Sequence, residues 1–244
     1  MRFKLTIEYN GGPYAGWQRS PSHPSVQGAL EDAVEKLTGV RSDVIGAGRT
    51  DSGVHATGQV AHVDIEKPFE PSRLTEALNA HLRPHPISVL SAEEATPEFH
   101  ARFDAVNRAY TYEVINRRAP LALDKGRAWR VGRPLDVPAM DAAAQALCGK
   151  HDFTTFRDSA CQAKSPIKTL DIARVEGMDD QIIFHFEARS FLHRQVRSMV
   201  GTLAEVGLGK MSIQDVADAL AAADRSRCGP VAPPDGLYLI RVDY

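Results

Sequence analysis

A chain of 244 residues has the length for one large domain or two small ones around a proper core. Its 43% hydrophobic and 25% charged residues are ordinary for a globular protein, and a formal net charge of −2 does not by its sum point to nucleic acid. Three widely spaced cysteines without a C-x-x-C pair argue against a disulfide framework or a thiolate zinc site. No apolar run approaches the roughly 20 residues of a bilayer span, and Met1 leads into strand residues without an apolar signal core, so a reduced, cytoplasmic, soluble protein is expected.

Phe3, Leu5, Ile7 and Tyr9 alternate with Lys4, Thr6 and Glu8, the period of a half-buried strand, which Asn10-Gly11-Gly12-Pro13 stops. Tyr14 to Arg19 is a loop with two aromatics and a cation. Ser25 caps a helix with Val26, Leu30, Ala33, Val34 and Leu37 on its apolar face, ending at Gly39. Ser42 to Ile45 reads as a strand, and Gly46 to His55 as a Gly-rich loop carrying Arg49, Thr50 and Asp51. A strand from Gln59 to Ile65, a helix opened by Pro71-Ser72 through Leu82, and a strand from Ile87 to Leu90 follow. That order is β-α-β-β-α-β.

The remainder repeats the pattern. Ala109 to Ile115 is a strand, Val137 to Leu147 a helix, and Leu170 to Val175 with Ile182 to Ala188 a hairpin about Gly177-Met178-Asp179-Asp180. Helices follow over Phe191 to Val206 and Ile213 to Ala222, and Leu237 to Val242 closes the chain as a strand. The expected fold is therefore α+β: two ferredoxin-like halves, residues 1–104 and 105–244, forming a pseudo-duplicated sheet with a central cleft.

Charge is unevenly spread. From His100 to Arg133 eight Arg and Lys residues are opposed only by Asp104, Glu113 and Asp124, which suits phosphate contacts as well as a solvated face. In the Gly-rich loop, glycines permit close approach of backbone to ligand, and a loop carboxylate is a functional lead. On spacing alone Asp51 is equally a turn residue capping a backbone N–H. His55 and His62 have no third partner at metal-ligand spacing.

Gly48-Arg49-Thr50-Asp51-Ser52-Gly53-Val54-His55 resembles the catalytic motif of the tRNA pseudouridine synthase A family. Seven more blocks stand in family order: Tyr14-Ala15-Gly16-Trp17-Gln18-Arg19, Gly58-Gln59-Val60, Phe99 to Phe103, Arg108 to Tyr112, His151 to Arg157, Phe191 to Arg197, and Gly236 to Leu239. Two places depart from the pattern: Arg108-Ala109 where some relatives carry two arginines, and Arg225 to Pro234, which has no family pattern. The resemblance implies isomerisation of uridine to pseudouridine at positions 38 to 40 of the tRNA anticodon stem-loop, by a homodimer that needs no cofactor and no metal.

It also implies roles. Asp51 is the nucleophile or base, a carboxylate suiting the positive character that develops at the sugar when a glycosidic bond breaks. Arg197 is its charge partner and Tyr110 the ring that stacks on uracil, with a hydroxyl placed to help remove the C5 proton. Arg49, Thr50, Trp17, Arg19, Arg108, Arg194 and Leu239 are expected to hold the RNA or the base, with Arg102 and Arg157 as further phosphate contacts. Two other readings compete. A non-catalytic RNA-recognition module lacks its usual aromatic pattern here, and a phosphate-binding loop lacks its lysine.

Overall fold

The computed structural model describes residues 1–244, which divide into two compact units: Met1–Val106 with Tyr238–Tyr244, and Asn107–Leu237. The first unit runs β1 (Arg2–Tyr9), α1 (Val26–Thr38), β2 (Ile45–Gly46), β3 (His55–Asp64), α2 (Pro71–Leu82) and β4 (Ile87–Ala95). β1 lies antiparallel between β3 and β4, with Leu5 opposite Ala61 on one side and Ala92 on the other. Its alternation buries Phe3, Leu5, Ile7 and Tyr9, and Leu30, Val34, Leu74 and Leu78 from the two helices are buried too. α1 forms where its caps predict: Ser25 Oγ accepts from the Gly28 amide at 3.2 Å, and Gly39 closes the helix in the left-handed region.

Three boundaries differ from the sequence reading. The strand over Ser42 to Ile45 shrinks to Ile45–Gly46, because Val44 gives its N–H to the Glu31 carboxylate (3.3 Å) rather than to a ladder. β3 starts at His55, four residues before Gln59, so the end of the Gly-rich loop is already strand. β4 continues to Ala95; a register shift opposite Thr6 and Ile7 leaves Leu90 exposed and breaks the period-2 signal there.

The second unit holds β5 (Asn107–Ile115), the two-residue β6 (Trp129–Arg130), α3 (Val137–Gln145), β7 (Gly149–Asp152), β8 (Ile167–Leu170), β9 (Ile172–Met178), β10 (Gln181–Ala188), α4 (Gln195–Gly207) and α5 (Ile213–Ala222). β10 is antiparallel to both β5 and β9; β6 pairs with β5, and β7 with β8 forms a separate ribbon. Leu170 to Val175 is not one strand: the chain leaves β7 at Leu170 and joins β10 from Ile172. Nor does the helix begin at Phe191. Arg194 takes φ 57° and Gln195 Oε1 accepts the Leu192 amide at 2.8 Å, so residues 192–195 form a turn and α4 starts at Gln195. α5 begins where read, on a capping box of Ser212 and Asp215.

β11 (Leu237–Asp243) runs parallel to β3, with Tyr238 opposite His55 and Leu239 opposite Ala56. Gly58 permits it: a Cβ there would sit 2.2 Å from the Ile240 carbonyl oxygen. The last strand of the chain therefore belongs to the sheet of the first unit.

Candidate active site

The loop Ala47–Val54 joins β2 to β3 and is pinned at several residues. Ala47 donates its amide to Val60 O at 2.7 Å, and Gln59 Nε2 donates to Gly48 O at 2.8 Å. Thr50 is buried, its hydroxyl 2.8 Å from the Tyr9 phenol and its carbonyl accepting the Trp17 amide at 3.0 Å. The Val54 amide closes on Asp51 O at 3.1 Å. Held inward at Gly48 and Thr50, the backbone turns Arg49 outward, exposed, and leaves Asp51 half-buried. A carboxylate so placed keeps access to a ligand while its backbone is fixed.

Tight packing of the preceding segment makes this possible. Gly16 sits at φ 111°, and a Cβ on it would meet Thr50 O at 2.6 Å; one on Gly11 would meet Val54 O at 1.9 Å. His55 Nδ1 accepts the Gly11 amide at 3.0 Å, which leaves the ring proton on Nε2, and the ring stacks on Tyr238 with centroids 4.8 Å apart. The loop and the strand-end glycines are thus one unit of packing.

The structure revises several assignments in this unit. Trp17, expected against RNA, is only 3% exposed and lies against Gly46, where a Cβ would be 2.6 Å from its ring; it supports the loop from below. Leu239 is fully buried and acts as core. Arg19 keeps a half-exposed side chain, yet NH1 is committed to the buried Glu31 carboxylate at 2.9 Å, the anion that also takes Gln27 Nε2 at 2.9 Å. A buried carboxylate needs such partners, so Arg19 first serves Glu31. Arg102 is exposed, its guanidinium 5.8 Å from the Phe103 ring centre.

In the second unit, Tyr110 and Tyr112 share one face of β5, and the structure separates them. Tyr112 is completely buried, with its hydroxyl donating to Pro233 O at 2.8 Å; burial holds its phenol well above the ordinary range against the pull of the Arg197 charge. Tyr110 retains 8% exposure and meets Phe191 edge to face at 5.1 Å. Arg197, in the first turn of α4, is half-buried and donates Nε to Ala232 O at 2.8 Å, so it is not a solvated helix arginine.

The Arg108 side chain is buried, and its NH1 donates to Arg189 O. Arg157 likewise gives NH2 to Cys161 O and Ala163 O at 2.7 and 2.8 Å. Arg194 is exposed, with NH1 2.9 Å from Asp158 Oδ2. Burial by itself raises the Asp158 carboxyl, but the Ala160 amide and then the charges of Arg194 and His193 hold it below its usual range.

Sequence reading missed Tyr9, Gln59 and the segment Arg225 to Pro234. Tyr9 and Gln59 look like ordinary strand residues until their side chains are seen gripping Gly48 and Thr50. The third carried no recognisable pattern, although its carbonyls hold Arg197 and Tyr112.

With this geometry in hand, comparison with known proteins is direct. A family model described as tRNA pseudouridine synthase matches residues 5–104 and 143–244. Proteins called tRNA pseudouridine synthase A are similar along the whole chain: that of Afipia carboxidovorans is 62% identical over 243 residues, covering 100% of this chain and 99% of that protein. The protein of Nitrobacter hamburgensis is also 62% identical, and that of Maricaulis maris 58%, with 100% of this chain covered in each case and 99% and 98% of those proteins.

Proposed function

The chain belongs to the tRNA pseudouridine synthase family and is an isomerase, and from that premise we propose that it converts uridine to pseudouridine at positions 38, 39 and 40 of the tRNA anticodon stem-loop, with Asp51 as nucleophile or base. The observation that supports the assignment is the pinned loop, which leaves Asp51 half-buried on a backbone fixed on both sides. The reaction breaks the N1–C1′ bond, turns the uracil and rejoins it through C5. A carboxylate serves either by attack on the sugar or base or by removing a sugar proton to give a glycal. No atom or electron is gained or lost, so the reading needs no cofactor.

In this reading Arg197 is the cation for the reaction and Tyr110 the ring that stacks on uracil. Asp51 and Arg197 fall within the matched residues and Tyr110 outside them, so Tyr110 rests on the resemblance of its block. The target uridine leaves its stack at a cost of a few kcal/mol, recovered through contacts for which the exposed Arg49, Arg102 and Arg194 are the best-placed cations. A ferredoxin-like reading of the first half is supported by the strand order β4-β1-β3 with β2 on β3. The family reading also carries a homodimer acting in the cytoplasm; a monomeric mass by light scattering at working concentration counts against the dimer.

The test is Asp51→Asn beside Asp51→Ala. Both are expected to abolish tritium release from C5-labelled uridine in tRNA while tRNA binding is kept. Substantial release by either variant overturns the assignment of Asp51.

A further inference from the structure

We propose that the segment Cys228–Pro233 is a strap that positions Arg197 for the reaction, an inference that rests on the reading of Arg197 given above. Residues 197 and 232 hold each other by two hydrogen bonds. The Ala232 amide donates to Arg197 O at 3.0 Å, and Arg197 Nε donates to Ala232 O at 2.8 Å. The second bond matters for chemistry. Arginine loses much rotamer freedom when ordered, and fixing Nε sets the plane of the guanidinium and the direction of its fork. Lysine has no such donor partway along its side chain.

The strap is itself docked on α4 by contacts that only small residues allow. A Cβ at Gly201 would lie 1.6 Å from Pro230 O, and one at Gly229 would lie 2.8 Å from the Thr202 Cα. Between these close approaches the Thr202 hydroxyl accepts the Gly229 amide at 3.0 Å and donates to Ser198 O at 2.8 Å. Beyond Ala232, Pro233 O takes the buried Tyr112 hydroxyl at 2.8 Å. Thr202 and Tyr112 thus fasten the strap on either side of the carbonyl that holds Arg197. Neither has another evident part in the chemistry, and the strap is the stretch of sequence without a family pattern.

The test is a cycle of Thr202→Val, Arg197→Ala and the double variant, with turnover, KM and tRNA affinity measured for each. Thr202→Val keeps the shape and removes the bond to Gly229; it is expected to lower kcat roughly tenfold with KM unchanged, as a misplaced catalytic group does. Thr202→Ser is expected to restore most of the rate. In the Arg197→Ala background Thr202→Val is expected to cost nothing further, since its effect passes through Arg197. An equal loss in both backgrounds means general loosening of the fold and overturns the strap, as does wild-type kcat in Thr202→Val. Tyr112→Phe gives the same cycle from the other end should Thr202→Val fail to fold. Wild-type turnover in Arg197→Ala removes the reading of Arg197 and the strap together, whereas a slow Arg197→Ala beside an unaffected Thr202→Val removes the strap alone.

Discussion

At the scale of the residue, the site depends on which side chain grips which backbone. Thr50 precedes Asp51 and is held by the Tyr9 phenol at 2.8 Å. Tyr9→Phe and Thr50→Val are each expected to lower kcat about tenfold while leaving KM in place, and Thr50→Ser to stay near wild type. Steady-state assays on one tRNA substrate check this, and unchanged kcat in both first variants would show that the hydroxyl pair does not hold the loop. Leu239 makes the complementary case: fully buried, its replacement by Ala is expected to cost about 2–5 kcal/mol of stability by chemical denaturation, the range for a buried Leu. Asp51 is a candidate in the sequence because its Gly-rich block resembles a family motif, whereas spacing alone leaves it equally a turn residue. The burial of Trp17 and the bond from Arg108 to Arg189 O are not legible there, because residue type reveals neither burial nor which carbonyl a guanidinium meets. Tyr110 and Tyr112 could not be separated by alternation, since both occupy one face; the Pro233 carbonyl, over a hundred positions later, distinguishes them.

At the scale of the element, helix starts with a local chemical signal were read correctly. Ser25 and Pro71 stand where α1 and α2 begin. The failures came where a neighbour decides: a register shift carries β4 past Leu90, and a left-handed Arg194 delays α4. β3 illustrates how such elements are secured. Its buried His62 takes the Ala101 amide on Nδ1 at 3.1 Å and so anchors the segment Phe99 to Phe103. Burial first, then the charges of Arg2 and His100, lower His62 from 6.5 to about 4. The unfolded chain takes up this proton as pH falls below about 6.5 and the native state only near 4, so the stability is full above the first value and drains between them, by at most ~3 kcal/mol. Thermal melts at about pH 7.5 and pH 5 should therefore differ less in His62→Gln than in wild type. An equal pH dependence in the two proteins would exclude His62 as its source.

At the scale of the whole molecule, the mixed α+β class followed from the order of periodic segments, and the strand pairing did not. Nothing in Leu237 to Val242 announces a parallel partner, because the apolar pattern of a strand is the same whichever neighbour it finds. The structure sets it beside β3, close to where the Asp51 loop enters the sheet, and makes Gly58 its point of closest approach. Gly58→Val is expected to displace β11 and lower the melting temperature by several degrees; a melt that matches wild type would mean the sheet tolerates the branch. The placement of β11 also has a consequence for synthesis. A ribosome delivers Asp51 almost two hundred residues before Tyr238, so the sheet under the loop lacks a strand throughout that interval. A nascent chain that has not yet reached Tyr238 therefore carries the Asp51 loop without the strand that lies beside the start of β3.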